Sequence, residues 1–364
     1  MMKNSCNESR KSLAGLSFLQ VTVDEFINKQ DQYQLIDVRS PTEYKQAHIP
    51  GAVNVPLLND EERVIVGTVY RNEGADRAKQ VGLSLVAPRL PQIVAQILQH
   101  AEKKELVVYC WRGGMRSRSV CHVLAALNYS ARQLIGGYKA FRRYIHQYLE
   151  TKKLNVPVFV LNGLTGVGKT RIIKLLQEHK LPALDLEGMA NHRGSVFGAV
   201  GLGQARSQKD FEALLVMELI KLQKAQYLIV EGEGRKIGPV ILPDFLYQAM
   251  SDGPHILLEA DLSIRVARIV EEYQGKSEHC DELAAAVKKL QKKLGQEKVN
   301  MLLSLIEQKK LHEAAKILCT DYYDQYYRDS RKQKREYVAV VNVNDLDQGV
   351  LAIQSVIAKN MLER

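Results

Sequence analysis

Two short loops in this chain carry residue types that do chemistry. The first is Cys110-Trp111-Arg112-Gly113-Gly114-Met115-Arg116-Ser117. A thiol at a strand-to-helix turn, ringed by amides and followed by Arg112, Arg116 and Arg118, is expected to favour the thiolate. Gly113 and Gly114 let the backbone curl tightly around it. From Cys110 to Arg143 there are seven Lys/Arg and no Asp/Glu, so nothing local opposes that charge. The second loop, Gly163-Leu164-Thr165-Gly166-Val167-Gly168-Lys169-Thr170, meets the full G-x4-G-K-[ST] pattern. Its amides would cradle a diphosphate, Lys169 would neutralise it, and the Thr170 hydroxyl could hold Mg²⁺. A chain with both loops is expected to join a chalcogen- or phosphate-handling thiol to a bound nucleotide or diphosphate.

Each loop needs a strand before it and a helix after it. Leu106 to Tyr109 delivers Cys110, and Val158 to Leu161 leads into the phosphate loop, with Lys169 to Glu178 helical beyond it. Gln34 to Arg39 and the stretch from Leu134 to the Gly136-Gly137 turn are further strand signals in the first half. Leu184 to Leu186, Tyr227 to Val230, Ile256 to Leu258 and Val338 to Val341 serve the second. Apolar runs alternating with helical patterns predict βαβ units, hence parallel sheets with sites at strand C-termini. The expected class is α/β throughout: a parallel-sheet domain at 1–145, a polar linker at 146–156, and a phosphate-loop domain at 157–364. The last carries a helical insertion near 281–318, read as a helix pair broken near Gly295.

Composition sets the limits. Hydrophobic content of 46% and charged content of 25% suit a soluble globular protein with ample core. A formal net charge of +10 favours a polyanionic partner. Five scattered cysteines with no C-x-x-C pair suggest neither a disulfide framework nor a zinc site and fit a reducing cytosol. No run of 18 apolar residues is present, so no membrane contact is expected. The stretch after Lys3, Arg10 and Lys11 lacks the cleavage site of a signal peptide.

Two features resist a simple reading. Neither Asp185 nor Glu231-Gly232-Glu233-Gly234-Arg235 is a clean apolar run ending in Asp with a following catalytic acid, so phosphate binding is expected and nucleotide hydrolysis is not. The segment Leu184 to Gly198 (LDLEGMANHRGSVFG) is dense in functional side chains, and its His192, Arg193 and Ser195 are candidate substrate contacts.

Asp37-Val38-Arg39-Ser40-Pro41-Thr42-Glu43-Tyr44, His48-Ile49-Pro50-Gly51-Ala52-Val53-Asn54-Val55-Pro56 and Gly136-Gly137-Tyr138-Lys139-Ala140-Phe141 resemble the rhodanese family over residues 15 to 145. That resemblance implies a persulfide-carrying role for Cys110. The active loop departs from the usual form: Cys110 to Arg116 is C-x5-R, one residue longer, a spacing also found in cysteine phosphatases. A wider nest suits an atom larger than sulfur or a tetrahedral oxyanion. With CWRGGMRS, GLTGVGKT and DLEGMANHRGSVFG in that order, nearly the whole chain resembles the tRNA 2-selenouridine synthase family, a cytoplasmic transferase family by implication.

The resemblance implies exchange of sulfur for selenium in a wobble 2-thiouridine of tRNA, with selenophosphate as donor, through an S-geranyl intermediate made from geranyl diphosphate. Both donors are co-substrates, no cofactor is tightly bound, and selenophosphate synthetase is a candidate partner. The basic run Arg328 to Arg335 would track tRNA phosphates. An ATP-dependent sulfurtransferase, a C-x5-R phosphatase using Asp37 as its acid, and a nucleotide-sensing module with an inert thiol domain remain the alternatives.

Overall fold

The computed structural model describes residues 19–101, 104–273, 279–325 and 336–363. Cys6, the N-terminal basic residues and the run Arg328 to Arg335 lie outside the described residues. The chain divides into two units: Met1–Glu150 with Glu212–Lys221, and Thr151–Phe211 with Leu222–Arg364.

The first unit is built on five strands: β1 (Leu19–Val21), β2 (Tyr33–Asp37), β3 (Val53–Asn54), β4 (Glu105–Tyr109) and β5 (Ala131–Leu134). They form a parallel sheet in the order β1-β5-β4-β2-β3. Central β4 is buried on both faces, as a parallel strand between helical layers must be. Val107 and Tyr109 enter one core; Leu106, Val108 and Cys110 enter the other. The alternation thus carries Cys110 to the side of Val120 and Cys121, and explains why it is only 3% exposed.

Residues 146–156, expected as a linker, are helical as far as Thr151. The stripe Tyr138, Phe141, Ile145 and Tyr148 keeps helical spacing and packs on the first core, so the polar residues that suggested a linker are the outer face of one helix. The stretch Ala75–Leu98 is long and apolar enough to cross a membrane by length and composition. It folds instead as separate helices, Ala75–Val86 and Leu90–Leu98, around a short turn at Pro88, and seats Ile93, Val94 and Ile97 in the core.

The second unit holds β6 (Val158–Gly163), β7 (Ala183–Leu184), β8 (Leu228–Glu231), the short antiparallel pair β9 (Lys236–Ile237) and β10 (Val240–Ile241), β11 (His255–Glu259) and β12 (Ala339–Asn342). Its parallel sheet runs β12-β11-β6-β8-β7. Each candidate loop therefore hangs from the middle strand of a five-stranded parallel sheet. The helical insertion is more divided than a pair. His279–Lys288, Gln291–Leu294, Gln296–Glu307 and Leu311–Leu318 are separate helices, with a π turn at Cys319–Tyr323. Gly295 breaks it as expected at φ 80°, and Lys309 at φ 58° makes a second break that no glycine or proline announces.

Candidate functional site

The thiol loop is shaped by backbone interlock. Tyr138 N donates to Cys110 O and Lys139 N to Trp111 O, both at 2.9 Å. Gly137, at φ 58°, lies so close that a Cβ there would fall 2.1 Å from Cys110 O. Gly113, at φ 60°, is similarly pressed against Leu134 O and Gly136 N. Inside the curl, Gly114 N donates to Cys110 Sγ at 3.3 Å, and Ser117 Oγ lies 3.3 Å from the same sulfur. Ser117 and Gln133 are members of this site that sequence reasoning missed. Buried Gln133 donates to Gly113 O at 2.8 Å and to Ser117 Oγ at 2.9 Å, pinning loop and hydroxyl together. A lone Gln on a strand carries no sequence signal for this.

The arginines divide. Arg116, expected to favour the thiolate, is held by Glu43 instead, its Nη1 2.6 Å from Oε2 and Nη2 3.3 Å from Oε1. Burial opposes ionisation of Glu43, but the hydrogen bond and charge of Arg116 prevail and hold its carboxyl below the usual range. Arg112 and Arg118 are exposed. Asp37 is fully buried and grips Arg39 through both oxygens, at 2.6 and 3.0 Å, which removes it as the proton donor a phosphatase would need. Cys121 lies in the same core as Cys110; burial, and then the charge of Cys110, push its thiol up to about 12.

The phosphate loop runs from β6 into the helix Lys169–Glu178, with Gly166 at φ 80° and Gly168 at φ 99°. Gly163 has no room for a side chain, since a Cβ would lie 2.8 Å from Leu258 O. A loop that turns its amides inward turns carbonyls outward, and those need donors. Two buried arginines of the helix Leu262–Tyr273 supply them. Arg265 Nε donates to Thr165 O at 2.9 Å and Arg268 Nη1 to Val167 O at 2.7 Å. Arg265 also grips Asp324 at 2.6 and 3.0 Å, tying the loop to the end of the helical insertion.

Four carboxyls gather beside the loop. Thr170 Oγ1 donates to Glu187 Oε2 at 2.6 Å, and Lys169 Nζ stands 4.0 Å from Glu233 Oε1. Burial pushes Glu233 up to about 8 against the pull of Lys169, and a hydrogen bond with Glu187 adds to the rise. Glu231 ends β8 next to the loop strand, fully buried, and accepts from Leu186 N at 2.9 Å. Burial and then the charges of Asp185 and Glu187 hold it well above the usual carboxylate range. Asp185 itself caps the helix Leu186–Ala190 by accepting from Gly188 N.

A cavity of ≈ 400 Å³ opens from this loop. Near Lys169 and Thr170 its wall is polar, with Glu187, Glu233, Arg193 and Ser195. The lining also includes Phe197, Ile269, Leu283, Ile306, Leu311 and Leu318, Tyr322 and Tyr323 from the π turn, and the charged Arg268, Glu272 and Lys293. Of the three expected contacts, Arg193 and Ser195 line the cavity and His192 does not. His192 braces the turn: its ring packs on Gly198 and Gly238, its Nδ1 accepts from Gly194 N at 3.1 Å, and burial lowers its pKa, keeping it neutral. Arg193 is engaged by Glu272 at 3.0 Å and by Val200 O at 2.9 Å.

The description "tRNA 2-selenouridine synthase AAA domain" matches residues 156–346, and "Rhodanese-like domain" matches residues 22–144. The chain belongs to the tRNA 2-selenouridine synthase family. A tRNA 2-selenouridine synthase of Sulfurovum sp. (strain NBC37-1) is 36% identical over 322 residues, covering 80% of this chain and 87% of that protein. One from Hydrogenovibrio crunogenus is 36% identical over 330 residues, covering 83% of this chain and 90% of that protein. The Nitrosomonas europaea protein of the same name is 38% identical over 247 residues, covering 66% of this chain and 63% of that protein. The two matched ranges follow one another along the chain, rhodanese-like first.

Proposed function

We propose that the chain is a tRNA-modifying transferase that converts wobble 2-thiouridine to 2-selenouridine by way of an S-geranyl intermediate. One observation carries this reading: the phosphate loop opens into a cavity whose lining joins Lys169 and Thr170 to a set of aliphatic and aromatic side chains. A nucleotide needs polar partners for its base and ribose, whereas a prenyl diphosphate needs an anion cradle and a greasy wall. In the first step the thiocarbonyl sulfur attacks C1 of geranyl diphosphate, the C–O bond breaks, and diphosphate leaves. Lys169 and the amides of Gly163 to Thr170, with Gly166 and Gly168 shaping the curl, stabilise its growing charge. Arg193 and Ser195 contact substrate from the polar wall. Mg²⁺ would be held by Thr170 and Glu187, whose oxygens are of the hard type it takes, and would add neutralising charge.

In the second step selenium from selenophosphate forms a bond to C2 of the base. The C2–S bond breaks with loss of geranyl thiol, and hydrolysis of the P–Se bond releases phosphate. Cys110 positions the selenium donor within the loop that also holds Arg112, Gly113, Gly114 and Arg116. Alkylation makes sense of the order, because a thiocarbonyl sulfur is a poor leaving group and an alkylated one is a good one. The printed names of the relatives and the net charge of +10 support tRNA as substrate.

The test is to incubate the protein with 2-thiouridine tRNA, geranyl diphosphate and selenophosphate, singly and together, then digest and weigh the nucleosides. S-geranyl-2-thiouridine with the first donor and 2-selenouridine with both is the expected result. An untouched thiouridine with brisk ATP turnover would end the proposal.

A further inference from the structure

Trp111 is the sole tryptophan of the chain, follows Cys110 directly, and is 41% exposed. An exposed indole beside a reactive thiol is costly to leave in water unless something covers it in use. Its placement is rigid. Its carbonyl accepts from Lys139 N at 2.9 Å, and its ring lies against Tyr138 with centroids 5.6 Å apart. Tyr138 is buried and backed by the Arg39 guanidinium, 4.2 Å from its ring centroid, which Asp37 and Ala47 O fix in turn. The series Trp111, Tyr138, Arg39 is therefore a braced run of contacts, with the Trp111 ring tilted 40° to Tyr138, that ends in solvent. In the same loop and the helix it opens, Met115 is exposed at 53%, as are the cations Arg112 and Arg118, and Ile135, just past β5, is exposed at 45%.

We propose that Trp111 is the stacking platform on which the wobble pyrimidine of single-stranded RNA lies while its C2 position faces the Cys110 loop. This inference rests on the reading that the thiol loop acts on tRNA, and names the residue that positions the base there. A flat aromatic face with exposed cations in the same loop suits an unpaired base: the ring stacks and flanking phosphates meet cations. Stacking reads no base edges, so the platform suits a ring whose 2-substituent changes from sulfur to alkylated sulfur to selenium.

Because the chain has one tryptophan, its fluorescence reports this site in the unaltered protein. An RNA hairpin with 2-thiouridine at the wobble position should quench the emission and shield it from acrylamide. The same hairpin with an abasic wobble site should bind without doing either. Equal quenching by the abasic hairpin would overturn the proposal. So would quenching that appears only with an S-geranyl nucleoside, which would make the patch a lipid contact. No donor is present, so a silent fluorophore alongside normal prenyl transfer would sink this inference and leave the two-step reaction standing. In steady state, Trp111→Ala should raise KM for geranylated RNA between about five- and 150-fold, with kcat little changed and Trp111→Phe restoring most of the loss. A fall in kcat at unchanged KM would count against stacking.

Discussion

The two loops hang from equivalent strands yet are braced in opposite ways. The phosphate loop is gripped from outside by buried cations, Arg265 on Thr165 O and Arg268 on Val167 O, while its own Lys169 lies on the inner side beside Glu233. The thiol loop is held by neutral groups, Gln133 and the amides of Tyr138 and Lys139, and its arginines face solvent or pair with Glu43. Permanent charge behind a loop pre-sets the field for an anion that departs during reaction. Neutral bracing leaves the field around a thiol to two amide-scale contacts, Gly114 N and Ser117 Oγ, which suits an atom whose charge comes and goes.

The sharpest way to break this comparison is to remove each loop's reactive group. Cys110→Ala should abolish selenium incorporation while S-geranyl-2-thiouridine still forms, read by mass spectrometry of tRNA nucleosides; loss of both products would mean that the loops do not divide the labour. Lys169→Ala should lower kcat/KM for geranyl transfer by about 100- to 1,000-fold through lost stabilisation of the leaving diphosphate. Unchanged geranylation there would remove the prenyl donor from this loop.

The bracing itself can be weighed. Arg265→Ala strips the partner from Asp324 and the donor from Thr165 O, and should cost about 3 kcal/mol in denaturant unfolding of the second unit. Gln133→Ala removes neutral bonds and should cost about 1–2 kcal/mol in the first. Equal losses would erase the distinction between charged and neutral support. The smallest expected effect is one of pH. Glu233 is neutral below about 8 and a carboxylate above it, where it repels phosphate oxygens and competes for Lys169. Diphosphate affinity, measured by calorimetry in chelator, should therefore fall about tenfold as pH rises through that value, and Glu233→Gln should flatten the profile.

Both loops and both parallel sheets could be read from local pattern, because a phosphate loop and a thiol turn are made of contiguous residues. What could not be read came from far away in the chain. Arg265 and Arg268 sit about a hundred residues beyond the carbonyls they hold, on a helix whose amphipathic pattern gives no hint that two cations face inward. The aliphatic and aromatic part of the cavity lining is assembled from Phe197, Ile269 and the divided insertion, so its character existed nowhere as a motif. His192 shows a related limit: nothing in the motif announces that its ring packs on Gly198 and on Gly238, well beyond the motif along the chain. Lys309 shows the limit of breaker rules, since a lysine took the left-handed turn that glycine was expected to mark.

Cys121 sets a condition on how the thiol loop survives oxidation. Among the described residues of the first unit it is the one other thiol, and with its ionisation pushed up to about 12 it supplies no attacking sulfur at neutral pH. A sulfenic acid formed on Cys110 would thus find no resolving thiol among the described residues of its unit, where a small external thiol such as glutathione would serve for rescue. The same isolation, among the described residues of the first unit, keeps Cys110 from being consumed in a disulfide with Cys121.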